Sequence, residues 1–309
     1  MGALETEIGR TLINKKFLGA LLIAVLLTYG LPFPFIKGFL GDYGKIKEIR
    51  KQMEKENEAI VCHRVYDTDP EFFSSHGMKC NDEYYRPNGT TVGCCGMSVY
   101  RDTYWQYLRV KGDLRKELPK FLLFVVWAFL SLLTFSYALI NIAAGLSEGR
   151  EVSIRKSILS GFRALPALVA SEFIMLLALL IALILLAIPI AVLGPAGGLL
   201  VGVLAGPAFA LVIPAYYFTH KIGGVGEVWK IFKNNPTSYI VLGILLGTLD
   251  TIMAFQYEHY LGIGTLMIML TVGALRYVVS SIGALEVYLE GGGATGEEEE
   301  EKWRIEWEV

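Results

Sequence analysis

The chain has 309 residues, of which 53 % are hydrophobic and only 19 % charged, with a formal net charge of −2. Soluble domains average about 25 % charged residues; here the deficit is concentrated in long apolar runs, which excludes an ordinary soluble domain and points to an integral membrane protein. The near-neutral balance also excludes a nucleic-acid partner, because no basic excess is present to attract a phosphate backbone.

Residues 1–16 form a polar lead with Arg10, Lys15 and Lys16 beside the first apolar run. That run, 17–36, is longer than a signal h-region and ends in Pro32-Phe33-Pro34 rather than a small-residue cleavage site, so it is expected to persist as the first span. Further spans are expected at 121–144, 167–190, 197–218, 238–257 and 262–285. Each is long enough to cross a roughly 30 Å hydrocarbon core as a helix. The expected fold is an all-α polytopic membrane protein with six transmembrane helices in three hairpins. An extracellular, disulfide-bonded cap is inserted between helices 1 and 2.

Orientation follows from Lys and Arg beside the span ends. Loop 145–166 carries Arg150, Arg155, Lys156 and Arg163, and loop 219–237 carries Lys221, Lys230 and Lys233. Both fall on the side of Arg10, Lys15 and Lys16. The opposing connectors near 191–196 and 258–261 hold no Lys or Arg. This positive-inside pattern predicts cytoplasmic termini in a cell membrane and an extracellular 38–120 segment. The expected organisation is 1–37 as cytoplasmic N-terminus and first span, 38–120 as the cap, 121–288 as spans 2–6 with cytoplasmic interfacial helices, and 289–309 as an acidic cytoplasmic tail.

The 38–120 segment holds every cysteine and fourteen of the twenty-eight Lys and Arg residues. Cysteines confined to the outer side fit a disulfide-permissive compartment. Adjacent Cys94 and Cys95 are poorly placed to bond to each other. Cys62 and Cys80 therefore each pair with one member of that doublet, or with each other. The same cysteines with His63 and His76 offer zinc ligands, but the spacing matches no zinc motif, and no metal or other cofactor is expected. Asn88-Gly89-Thr90 is a sequon marking a surface turn. Within 45–58, Ile46, Ile49 and Met53 recur at helical spacing and predict an amphipathic helix. The stretch 66–97 reads as turns with a small hairpin, and helix returns over 102–118 with Tyr104, Trp105 and Leu108 on neighbouring positions.

Residues 4–16, 151–164 and 225–236 are short polar or amphipathic segments, each followed by a pair of spans. Ile154, Ile158 and Phe162 recur every four residues, with Leu159 widening the stripe, and Trp229 and Ile231 mark a shorter version before Asn234-Asn235-Pro236. These segments are expected to lie at the inner interface. The interfacial helix followed by a span pair, opened by Gly161-Phe162-Arg163-Ala164-Leu165-Pro166, resembles poorly characterised archaeal multi-pass membrane proteins. The resemblance covers about 150–285 and implies a helical membrane fold without assigning an activity.

In the fourth span Gly194, Gly198, Gly202 and Gly206 recur every four residues, and Gly243 and Gly247 repeat the spacing in the fifth. Glycine at i, i+4 permits close helix approach, so these positions are expected at helix contacts. Pro195, Pro207 and Pro214 interrupt the fourth span and also fit a moving or pore-lining helix. Asp250 and Arg276 lie within the fifth and sixth spans at depths that differ by one to two turns, within an arginine's reach. An isolated charge in lipid is costly, so a paired site is expected there. Glu172 in the third span, and Tyr137 and Asn141 in the second, complete the candidate intramembrane polar site.

No metalloprotease, nucleophile-elbow, phosphate-loop or dinucleotide motif occurs, and the spans hold no histidine, so an enzyme is not expected. The tail carries Glu297 to Glu301 and then Trp303, Ile305, Trp307 and Val309 in alternation, which fits a solubilising tail or a short docking motif. Two classes of function remain. One is a small-solute or ion permease or channel, expected as a homodimer because six spans are few for a complete transporter. The other is a non-catalytic scaffold or accessory subunit that recruits an extracellular or membrane protein through cap and tail. Membrane lipid is a partner in both.

Overall fold

The structure, a computed structural model, describes residues 11–77, 79–185, 195–258 and 262–292. It is 85 % helical. Among the described residues, five helices are long and apolar enough to cross a membrane, or six when Lys15–Gly30 is joined to the helix beginning at Phe33. The protein is therefore a helical, membrane-embedded one, carrying one disulfide among the described residues. The acidic tail and the Trp303–Val309 alternation lie outside the described residues.

Helix α1, Lys15–Val25, starts at Asn14, whose side chain accepts from the Lys16 amide, and passes into a π-helical turn, Leu26–Gly30. The chain breaks at Leu31 and Pro32, and α2 then runs over Phe33–Thr68. The sequence pattern predicts one span at 17–36 and a separate helix at 45–58. The prolines instead set the break inside the apolar run, and nothing after Pro34 stops the helix, because the 45–58 charges are good helix formers. A short α3, Pro70–Ser75, is capped by Asp69 with Pro70 in its first turn.

Strands β1, Thr91–Cys94, and β2, Met97–Tyr100, pair antiparallel with Cys94 opposite Met97. Cys95 and Gly96 form the two-residue loop, both with positive φ (57° and 77°), as a tight hairpin of matching twist requires. Helix α4 is continuous over Arg101–Ser147 despite Pro119, so the separate helix expected at 102–118 and the span at 121–144 are one element.

The remaining helices are α5, Ile154–Leu185; α6, Pro195–Thr219; α7, Val225–Asn234; α8, Pro236–Glu258; and α9, Ile263–Val278. Beyond α9 lie a π-helical turn, Val279–Gly283, and α10, Ala284–Glu290. The segment 151–164 was expected as a distinct interfacial helix. It is instead the first part of α5, which runs through Pro166 without a break. The proline forfeits one backbone hydrogen bond, whereas Gly161 lies against the Thr134 carbonyl and Ala164 and Leu168 are buried among Leu133, Ile140 and Ile213. That packing outweighs the lost bond. The segment 225–236 does form its own helix: Gly224 adopts a left-handed φ of 63° before α7, and Pro236 opens α8.

The chain divides into two compact units, 33–124 with 255–262, and the remainder. In the first, Ile49 and Met53 of α2 pack with Val99 and Tyr107, joined by Ile46, Tyr104 and Leu108. The sequence stripes on the two helices are thus the two sides of one small core. Glu56 and Asn57 of α2 accept the Tyr100 and Ser98 amides of β2, at 3.1 and 2.8 Å. In the second unit, Leu211, Val212 and Ala215 of α6 are buried with Ile231, Leu242, Ala284 and Tyr288.

Candidate functional site

The apolar unit contains a cavity of about 270 Å³. Five helices and one π-helical turn build it. Helix α4 supplies Phe129, Leu132 and Leu133, and α5 supplies Glu172. Helix α6 supplies Gly206, Phe209, Ala210 and Ile213, and α8 supplies Leu246 and Asp250. Arg276 of α9 and Ser280 of the following π-helical turn complete the lining. Three of the five residues read from sequence as an intramembrane polar site therefore face one space.

Asp250 and Arg276 form an ion pair. Arg276 Nη2 donates to Asp250 Oδ2 at 3.2 Å, and Nε lies 2.8 Å from Oδ1 without its N–H being aimed at that oxygen. The Asp250 side chain is 51 % exposed and that of Arg276 29 % exposed. Both side chains line the cavity, and neither is fully buried. Glu172 differs. It is 5 % exposed, and its Oε2 has no hydrogen-bond partner among the described residues. Next to it Ser171 Oγ accepts the Gly223 amide at 3.0 Å, which fixes this part of α5 against the α6–α7 connection.

Tyr137 and Asn141 do not line this cavity. Tyr137 is buried in the α4–α5–α6 core, edge-on to Tyr217 at 5.5 Å, and Asn141 is half-buried further along α4. Ser280 was missed. It follows Arg276 by four residues, hence on the same helix face, and its hydroxyl lies 3.2 Å from Ser136 Oγ. The spacing was legible, but serine alone is too common in membrane helices to single out. The π-helical turn around Ser280 had no sequence signal; such turns are frequent near functional sites.

The small-residue positions separate. A Cβ at Gly243 would run into the Val203 backbone carbonyl, so α8 and α6 meet there at closest approach. Gly206 faces Leu246. Gly202 and Gly247 face open space. Gly194 lies outside the described residues, and Gly198 outside those whose packing is described.

In the polar unit Cys62 and Cys80 are bonded to each other. Of the pairings left open by the sequence, the structure takes this one, and Cys94 and Cys95 are free thiols with sulfurs 2.9 Å apart. The tight hairpin holds the doublet at its turn, where Cys94 packs against the core around Ile49 and Met53, whereas Cys62 lies further along α2, about 13 Å beyond Met53 at 1.5 Å per residue. The Cys94 thiol is pushed above its ordinary pKa, first by its hydrogen bond with Cys95 and then by burial. His63 Nε2 lies 2.8 Å from Asp82 Oδ1, and its ring stacks on Tyr85. Among the described residues no group of three His, Cys, Asp or Glu side chains is placed to hold a metal. A second, more open groove of about 810 Å³ lies beside the sequon turn, lined by Arg86, Arg101, Asp102, Tyr100 and Trp105.

No protein-family model, curated protein or solved structure matches the chain.

Proposed function

We propose that this protein is a small-solute or ion permease or channel of the cell membrane, whose pathway passes through the Glu172–Asp250–Arg276 cavity. The observation that carries this is the open space around the ion pair. A pair serving only to lock two helices together has no use for a cavity of about 270 Å³ against it. Charges inside a membrane are costly and are retained where they face a water-filled path or a ligand. In this reading the chain crosses six times in three hairpins with cytoplasmic termini, the polar unit is an extracellular cap held by the Cys62–Cys80 bond, and two copies assemble.

The test is cysteine labelling at positions 250 and 276 with a membrane-impermeant reagent. Cys94 and Cys95 are replaced by serine, and the Cys62–Cys80 bond is left intact. Labelling from one side of the membrane supports a pathway. Protection in every state sinks it. The alternative, a non-catalytic scaffold that recruits a partner, is favoured by the groove near Arg86 and Arg101, beside which Trp105 stands more than half exposed.

A further inference from the structure

We propose that Glu172 is a cation-exchange site, holding a proton when the cavity is empty and giving it up to a monovalent organic cation with an apolar body. This deepens the permease reading and rests on it for the role of cargo, but not for the binding itself.

Charge balance is the first argument. Asp250 and Arg276 neutralise each other through their ion pair. Glu172 is left as the one unbalanced group on the cavity lining, nearly fully buried and with Oε2 unpartnered among the described residues. A lone carboxylate in an apolar surround costs far more than a protonated or paired one. It therefore carries either a proton or a cation from outside the chain. The groups facing it across the cavity are Asp250 of α8 and Arg276 of α9; the lining stretches of α4 and α6 contribute no titratable side chain. Helices α1 and α7 place no residue on that lining.

The walls supply the second argument. Phe129 and Phe209 present aromatic surface, with Ile213 and Leu246 beside them. Aromatic faces attract cations, and apolar walls favour a ligand with hydrocarbon around its charge. At about 270 Å³ the space equals that of about nine liquid waters at ~30 Å³ each. A small arylammonium ion suits that volume, and a bulky lipophilic dye does not. The exchange balances: the carboxylic acid releases its proton to solvent, and the carboxylate pairs with the entering ammonium.

The probe is benzyltrimethylammonium, titrated calorimetrically into the full chain in lipid nanodiscs at several pH values and in buffers of different ionisation enthalpy. Binding with release of about one proton is expected. The dissociation constant should fall about tenfold per pH unit while the empty site remains protonated, because proton and cation compete for one carboxylate. Glu172→Gln should weaken binding at least ~100-fold, the loss expected when the only group pairing the charge is removed. Glu172→Asp should restore part of it, and thermal unfolding of both variants confirms that they fold. Absence of binding across the pH range, binding without proton release, or equal binding by Glu172→Gln overturns the proposal. If binding fails while position 250 labels, this inference falls and the pathway stands. If binding succeeds while position 250 is protected, the pathway falls and the site stands.

Discussion

Glu56 of α2 and Glu172 of α5 are 2 % and 5 % exposed, one in each unit of the chain. Around Glu56 every direction is answered. Thr103 Oγ1 donates to Oε1 at 2.7 Å, Gln52 Nε2 donates to the same oxygen at 2.9 Å, and the Tyr100 amide donates to Oε2 at 3.1 Å. Around Glu172 no donor reaches Oε2 among the described residues, and a cavity opens instead. The same side chain, buried to nearly the same degree, is a structural clamp in one unit and an unfilled demand in the other. Burial alone does not separate the two roles; the count of answered hydrogen bonds does.

The largest expected effect breaks the clamp. Glu56→Ala leaves the Tyr100 amide and the Thr103 hydroxyl buried without an acceptor. At about 1–3 kcal/mol for each orphaned group, the total is about 4 kcal/mol. Hydrogen exchange read by mass spectrometry should show the β2 amides exchanging roughly 1,000-fold faster. Exchange within tenfold of the parent would mean that Glu56 is not the clamp. The disulfide comes next in the same unit. Cys62 and Cys80 are 18 residues apart, and closing a loop of that length stabilises by about 3 kcal/mol. Reduction should expose the 66–79 stretch to proteolysis, while cleavage elsewhere stays unchanged.

The apolar unit offers a sharper internal contrast. Gly243 and Gly247 are one turn apart on α8, yet only Gly243 is pressed against the α6 backbone. Gly243→Leu should lower stability by about 2 kcal/mol through overpacking, and Gly247→Leu should leave it within about 0.5 kcal/mol. Equal effects in thermal unfolding would remove the α6–α8 contact as the explanation.

These contrasts also show what the sequence carried. Hydropathy marks the apolar runs because a helix crossing lipid needs an unbroken stretch of them. The Ile46–Ile49–Met53 stripe marks the core of the polar unit because a buried helix face repeats at 3.6 residues. Glu172, Asp250 and Arg276 were legible for the same reason that they are costly: charge inside an apolar run stands out. The continuity of α5 through Pro166 was not legible, since it depends on Gly161 meeting Thr134 of another helix. Nor was the distinction between Gly243 and Gly247, because the repeat is identical and only the facing helix differs. Glu56 was hidden in a dense charge run, where its three donors come from 52, 100 and 103. Long-range partners leave no periodic trace.

At the far end of the series the expected effect reverses the sign of the first. Glu172→Leu removes a carboxyl whose Oε2 no donor answers among the described residues, so no hydrogen bond to that oxygen is lost. The leucine meets Phe209, Ile213 and Leu246 across the cavity and gains contact with them. Replacing an unsatisfied buried polar group by an apolar one is neutral or stabilising, here by about 1 kcal/mol. Thermal unfolding in nanodiscs should therefore show a midpoint equal to or slightly above that of the parent, where Glu56→Ala shows a large fall. A fall of comparable size in Glu172→Leu would mean that Glu172 is clamped by partners as Glu56 is, and the contrast between the two glutamates would collapse. A held or raised midpoint, together with lost binding of benzyltrimethylammonium, would place Glu172 among residues kept for what they bind at the expense of stability.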